Sequence, residues 1–119
     1  MKTTAAQFSV FCRECCALQT MLNLLSWTIY YQHKKIGDCL AQVEVNEENC
    51  IATVTLNTDT KTTKPDILEC ARHEMWHLFL WPMQSKYSGR LTKRERVALD
   101  TDIHRMICVL EKLTISHRR

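Results

Sequence analysis

The stretch Ile67-Leu68-Glu69-Cys70-Ala71-Arg72-His73-Glu74-Met75-Trp76-His77-Leu78-Phe79-Leu80-Trp81 decides how this chain is read. At about 100° per residue, Leu68, Ala71, Met75, Leu78 and Phe79 form one apolar face of a helix, and His73 and His77 fall roughly opposite. Ile67, Leu80, Trp76 and Trp81 wrap the flanks, so only Arg72-His73-Glu74 interrupts a helix that is otherwise apolar nearly all round. Such a helix is covered on both sides, and buried polar groups must find partners. Upstream, Thr63 or Lys64 near the cap, Pro65 at the first position and Asp66 and Glu69 in the first turn signal its start; Pro82 is expected to stop it.

Working outward, apolar residues recur at three and four from Ala5 to Leu25 (Phe8, Phe11 or Cys12, Cys15, Leu18, Leu22, Leu25), which predicts an amphipathic helix. Trp27–Gln32 is aromatic and β-branched. Cys39–Val45 and Cys50–Leu56 alternate apolar with polar or Thr residues. These read as three strands broken by Gly37-Asp38 and by Asn46-Glu47-Glu48-Asn49, and the short links suggest an antiparallel meander. A loop over 84–93 precedes a last helix from about Thr92 to Ser116, with Leu99, Ile103, Met106, Ile107, Leu110 and Leu113 on one face. The expected fold is α+β: a helix, a three-stranded antiparallel sheet, the His73–His77 helix and a C-terminal helix.

The 119 residues, 14.0 kDa, suit one domain spanning 1–119. Hydrophobic residues at 45% exclude a disordered chain, and a net charge of +3 is too mild to mark a nucleic-acid binder from bulk charge. Arg90, Lys93, Arg94 and Arg96 with Arg118-Arg119 make the second half locally basic, without the aromatic interleaving that would support a nucleic-acid partner. Seven cysteines cannot all pair, and Arg13 and Glu14 cut the N-terminal apolar patch before a secretory h-region forms. The expectation is a reducing, cytoplasmic setting, free thiols that mostly serve as packing groups, and no membrane span.

His73-Glu74-Met75-Trp76-His77 is an H-E-x-x-H. Residues four apart on a helix stand one above the other, so both imidazoles can reach one Zn²⁺ at about 2.0–2.1 Å. Glu74 projects beside them, placed to act as general base towards a metal-activated water. A catalytic zinc takes a third protein ligand and keeps one open position. With the apolar face of the last helix centred near Leu99, Ile103 and Leu110, Asp102 turns inward best, ahead of Asp100 and His104. Cys70, one turn before His73, is a further candidate. Cys12-x-x-Cys15-Cys16 lacks the second pair that a structural site needs.

The order of elements with His73-Glu74-x-x-His77 resembles the minimal zincin metallopeptidases, and more narrowly the small phage-encoded metallopeptidases that are SprT-like in outline. The likeness includes Glu14 on the leading helix, Leu24-Leu-Ser-Trp-Thr-Ile29, Ile51-Ala-Thr-Val-Thr-Leu56 and the stretch from Asp100-Thr-Asp102-Ile-His104-Arg105 to Leu110-Glu111-Lys-Leu113. The resemblance implies a zinc-dependent peptidase, virus-encoded and acting in the host cell, with a carboxylate third ligand. That points again to Asp102, with Asp100 second, although the family favours Glu where this chain has Asp. It also implies that Cys50–Leu56 is the sheet edge that pairs with extended substrate. His77 is followed by no Gly-x-x-His extension, which excludes metzincin chemistry.

The sequence thus leads to hydrolysis of a peptide or protein substrate, with His73, His77 and Asp102 on Zn²⁺ and Glu74 as base. Tyr87, Arg105 and His104 are candidate oxyanion donors. The alternative is a non-catalytic, zinc-stabilised module that binds a protein or nucleic-acid partner.

Overall fold

Asp66 opens the central helix as a cap, its Oδ1 accepting a hydrogen bond from the Glu69 N–H at 2.9 Å. A computed structural model describes residues 2–60 and 66–118; the Thr63, Lys64 and Pro65 start signals lie outside them. The chain runs α1 (Ala5–Met21), β1 (Thr28–Lys34), β2 (Ala41–Asn46), β3 (Ile51–Asn57), α2 (Ile67–Ser88) and α3 (Lys93–Arg118). The architecture is α+β, with three helices and one three-stranded sheet among the described residues.

Helix α1 starts in a capping box: Thr4 Oγ1 accepts from the Gln7 N–H at 3.1 Å and Gln7 Oε1 from the Thr4 N–H at 2.7 Å. It ends at Met21 rather than Leu25, because Asn23 takes a left-handed φ of 55°. Helix α2 does not stop at Pro82 but carries it inside and runs on to Ser88. Proline breaks a helix through its missing N–H and its ring; Pro82 stands on the exposed side, where the ring has room. A second capping box, between Thr92 and Glu95, starts α3.

The sheet is mixed, not an antiparallel meander. Its order is β1-β3-β2, with β3 parallel to β1 and antiparallel to β2. Asn57, fully buried at the end of β3, supplies the physical reason. Its Nδ2 donates to the carbonyls of Ile36 (2.6 Å), Gly37 (3.2 Å) and Cys39 (2.7 Å), and its Oδ1 accepts from the Ile36 N–H at 3.2 Å. Instead of folding back as a hairpin, the 35–40 link is drawn across the end of β3, and β3 fits between its neighbours. The expected edge role of Cys50–Leu56 is therefore corrected: β3 is central, and β1 and β2 are the edges.

Ala52, Val54 and Leu56 of β3 join Phe11, Cys15 and Leu18 of α1, Ala71, Met75 and Leu78 of α2, and Ile103 and Ile107 of α3 in one buried cluster. Helix α2 packs against α1, α3 and β2, so it is covered on both sides as its composition requires. Leu68 and Phe79, expected on its buried face, are each more than two-fifths exposed; Ile67 is buried instead. All seven cysteines are free. The expectation that six of them serve as packing holds fully for Cys15 and partly for Cys12, whereas Cys16, Cys39, Cys50 and Cys108 are exposed. No described helix is long and apolar enough to cross a membrane.

Candidate metal centre

Helix α2 brings His73, Glu74 and His77 to one region because it is sandwiched there. On one side, Arg72 Nη1 donates to Glu14 Oε2 of α1 at 3.1 Å, and both side chains are buried. On the other side, Ile103 and Ile107 pack α3 onto α2. Fixing α2 between two helices fixes which way its histidines point.

Three imidazoles converge. One ring nitrogen from each of His73, His77 and His104 lies within 4.8 Å of the other two. His73 Nε2 and His77 Nε2 are 3.1 Å apart, close to the roughly 3.3 Å between neighbouring nitrogens of a tetrahedral zinc site with 2.0–2.1 Å bonds. The ring centroid of His104 stands 4.9 Å from that of His77 and 5.7 Å from that of His73. Two of the rings use Nδ1 away from the cluster. His104 Nδ1 donates to the Asp100 carbonyl at 2.8 Å, and His73 Nδ1 meets Glu111 Oε1 at 2.6 Å. With Nδ1 occupied in this way, Nε2 is the nitrogen each ring presents to the others.

The electrostatics of His77 and Glu74 suit a cation site. Burial, with His73 and His104 alongside, lowers the pKa of His77 to about 4 against a smaller opposing pull from Asp100. At neutral pH its lone pair is therefore available. Burial, with Glu111 nearby, raises Glu74 to about 7, the range in which a carboxylate can both take and give a proton near neutrality. Burial also raises the Cys70 thiol, so it is a poor source of thiolate.

Two hollows meet the site. His73 and Glu74 form part of the wall of a cavity of about 470 Å³ between the entry to β2, at Cys39–Ala41, and the first turn of α2. Asp100 and His104 line a second, of about 650 Å³, along the outer side of α3. Cys70 lies in the wall of the first cavity, outside the histidine group.

Asp102 is exposed and lies outside the group of histidines that could hold a metal ion; His104, also exposed, is the third member of that group. The reason lies in where α3 is buried. Its inward residues are Ile103, Ile107 and Glu111, which centres the buried face about 60–80° away from the Leu99–Leu110 centre that apolarity alone suggests. That rotation brings His104 to about 60° from the centre and sends Asp102 to about 140°. Asp100 sits at the edge of the site, its carboxylate accepting from Gln84 Nε2 at 2.8 Å. Arg105 is exposed, and the side chain of Tyr87 lies outside the described residues. Glu111 had no expected role. Its spacing of seven from His104, two helical turns, is the signal that could have found it.

Comparison with models of protein families, with curated proteins and with solved structures finds no match to this chain.

Proposed function

We propose that this chain is a zinc-dependent peptidase in which His73, His77 and His104 hold the ion and Glu74 is the general base. The observation that carries this reading is the convergence within 4.8 Å of the three imidazoles, two from α2 and one from α3, with a buried carboxylate raised to about 7 next after His73. Three imidazoles suit zinc better than magnesium or calcium, which prefer oxygen ligands. Three protein ligands, rather than four, are what a catalytic site uses.

When bound, zinc would polarise a substrate carbonyl and lower the pKa of a water in its open position from 15.7 towards about 7. Glu74, its carboxyl raised to about 7, would take a proton from an attacking water and pass it to the leaving amine. His77, held neutral by its surroundings, has a lone pair to offer an ion. The edge strand β2 begins at the mouth of the cavity that His73 and Glu74 border. An extended peptide paired along β2 would be led into it, with main-chain hydrogen bonds supplying affinity for many sequences. The seven unpaired thiols support a reducing compartment.

The test is zinc content and cleavage of an unfolded protein, measured for wild type, Glu74→Gln and His77→Ala. The reading expects about one zinc per chain in wild type and in Glu74→Gln. It also expects cleavage reduced by about 10²–10⁴-fold in Glu74→Gln, the contribution of a positioned base, and weakened zinc binding in His77→Ala. Zinc bound with no cleavage of varied substrates by wild type would favour the zinc-stabilised binding module instead.

A further inference from the structure

We propose that Glu111 is a positioning residue of the metal centre: its carboxylate, reaching across from α3, fixes the tautomer and ring orientation of His73. The proposal rests on the reading of His73, His77 and His104 as zinc ligands.

Glu111 is 6% exposed, and a carboxylate withdrawn from water to that extent costs several kcal/mol unless it is well bonded. Its Oε1 lies 2.6 Å from His73 Nδ1, a short, charge-assisted contact between helices α3 and α2. A neutral imidazole has one N–H and one lone pair. A carboxylate acceptor at Nδ1 places the proton there, and so places the lone pair on Nε2. Nε2 is the atom that faces His77 at 3.1 Å. The other tautomer would set an N–H towards the cluster and remove a ligand.

The layout of α3 gives this contact a specific logic. His104 and Glu111 stand two turns apart on one side of the helix, with Ile107 between them buried against α2. Helix α3 thus delivers a ligand and the partner of a ligand from one face, on either side of one apolar anchor. His104 has its own orienting acceptor, the Asp100 carbonyl at 2.8 Å, which comes from the same helix four residues back. His73 Nδ1 is met instead from outside its own helix, by Glu111 of α3. The interaction therefore couples the docking of α3 to the readiness of His73 in a way that the apolar contacts of Ile103 and Ile107 do not.

The experiment compares zinc affinity, by competition with a chromophoric chelator, for wild type, Glu111→Gln, Glu111→Met and His77→Ala, with the melting temperature of each metal-free protein alongside. Glutamine can still accept from Nδ1–H and methionine cannot. Metal-free Glu111→Met is expected to melt at or above wild type, because it removes a buried charge. Its zinc affinity should nevertheless fall by about 10–100-fold, the usual effect of losing the partner of a metal-bound histidine. Glu111→Gln should recover part of that loss. In nitrogen-15 NMR of the zinc-loaded proteins, the hydrogen-bonded Nδ1–H signal of His73 should be present in wild type and lost in Glu111→Met, with that of His104 unchanged as an internal control.

Unaltered zinc affinity in Glu111→Met, alongside a clear loss in His77→Ala, overturns the role of Glu111 and leaves the metal centre standing. A wild type that binds no zinc, or binds it equally after His77→Ala, overturns both. Should Glu111→Met fail to fold, Glu111→Ala, which also removes the acceptor, decides: a zinc affinity and a hydrogen-bonded His73 Nδ1–H signal equal to wild type overturn the proposal.

Discussion

Glu74 shows how one residue can be legible in kind and hidden in state. Its place inside His73-Glu-x-x-His77 marks it as a base, but its tuning comes from burial between helices and from Glu111, thirty-seven positions further along the chain. The tuning has a measurable cost in the metal-free protein. The Glu74 carboxyl is raised from 4.5 to about 7 in the folded state, so between those pH values the folded chain keeps a proton that the unfolded chain releases. Its contribution to stability therefore falls as pH rises through that window and levels off above about 7. His77 works the other way over roughly pH 4 to 6.5, because its folded pKa is lowered. The comparison that isolates Glu74 is thus wild type against Glu74→Gln. Without metal, the variant should match wild type near pH 4 and exceed it above pH 7, by at most about 3 kcal/mol. Melting curves across pH 4–8 in the presence of a chelator measure this, and a pH-independent difference would count against it.

At the scale of the element, periodicity made most of the fold readable. The three helices and three strands occur in the expected order, with most ends shifted by a few positions, as at the left-handed Asn23, and the end of α2 carried seven residues past the expected stop at Trp81 to Ser88. Two things were not readable from apolar spacing. Sheet order depends on Asn57, a polar residue in a strand whose value lies in four hydrogen bonds to a link 18–21 residues away. Asn57→Leu should leave those link groups without partners and destabilise the protein by about 2–4 kcal/mol, with little change in the helices. Urea unfolding gives the value; a loss under about 0.5 kcal/mol, the scale of an ordinary surface change, would contradict the role assigned to Asn57. The rotation of α3 is hidden from apolar spacing for a related reason. A helical wheel scored by apolarity ignores a buried Glu111, and leaving it out exchanges the places of Asp102 and His104. His104→Ala is therefore expected to weaken zinc binding by about 100-fold or more, while Asp102→Ala leaves it within about twofold. Chelator competition on both variants checks the exchange, and the reverse ranking would restore Asp102.

Over the whole molecule, the design reduces to a central helix held from both sides. Helix α1 braces α2 through the buried Arg72–Glu14 pair, the sheet presents β2 to the mouth of the cavity, and α3 supplies His104 and Glu111. A chain of 119 residues has little to spare, and its groups serve double duty: the helix contacts that bury the core also aim the imidazoles. In the proposed zinc site, three histidines from two helices hold the ion with one position open to solvent and substrate. The most direct measurement is a crystal structure of the zinc-loaded chain with anomalous data at the zinc edge. One peak is expected at about 2.0–2.1 Å from Nε2 of His73, His77 and His104, with a water as fourth ligand on the side of Glu74. A peak ligated by Asp102 or Cys70, a fourth protein ligand closing the site, or no peak at the histidine cluster would contradict it.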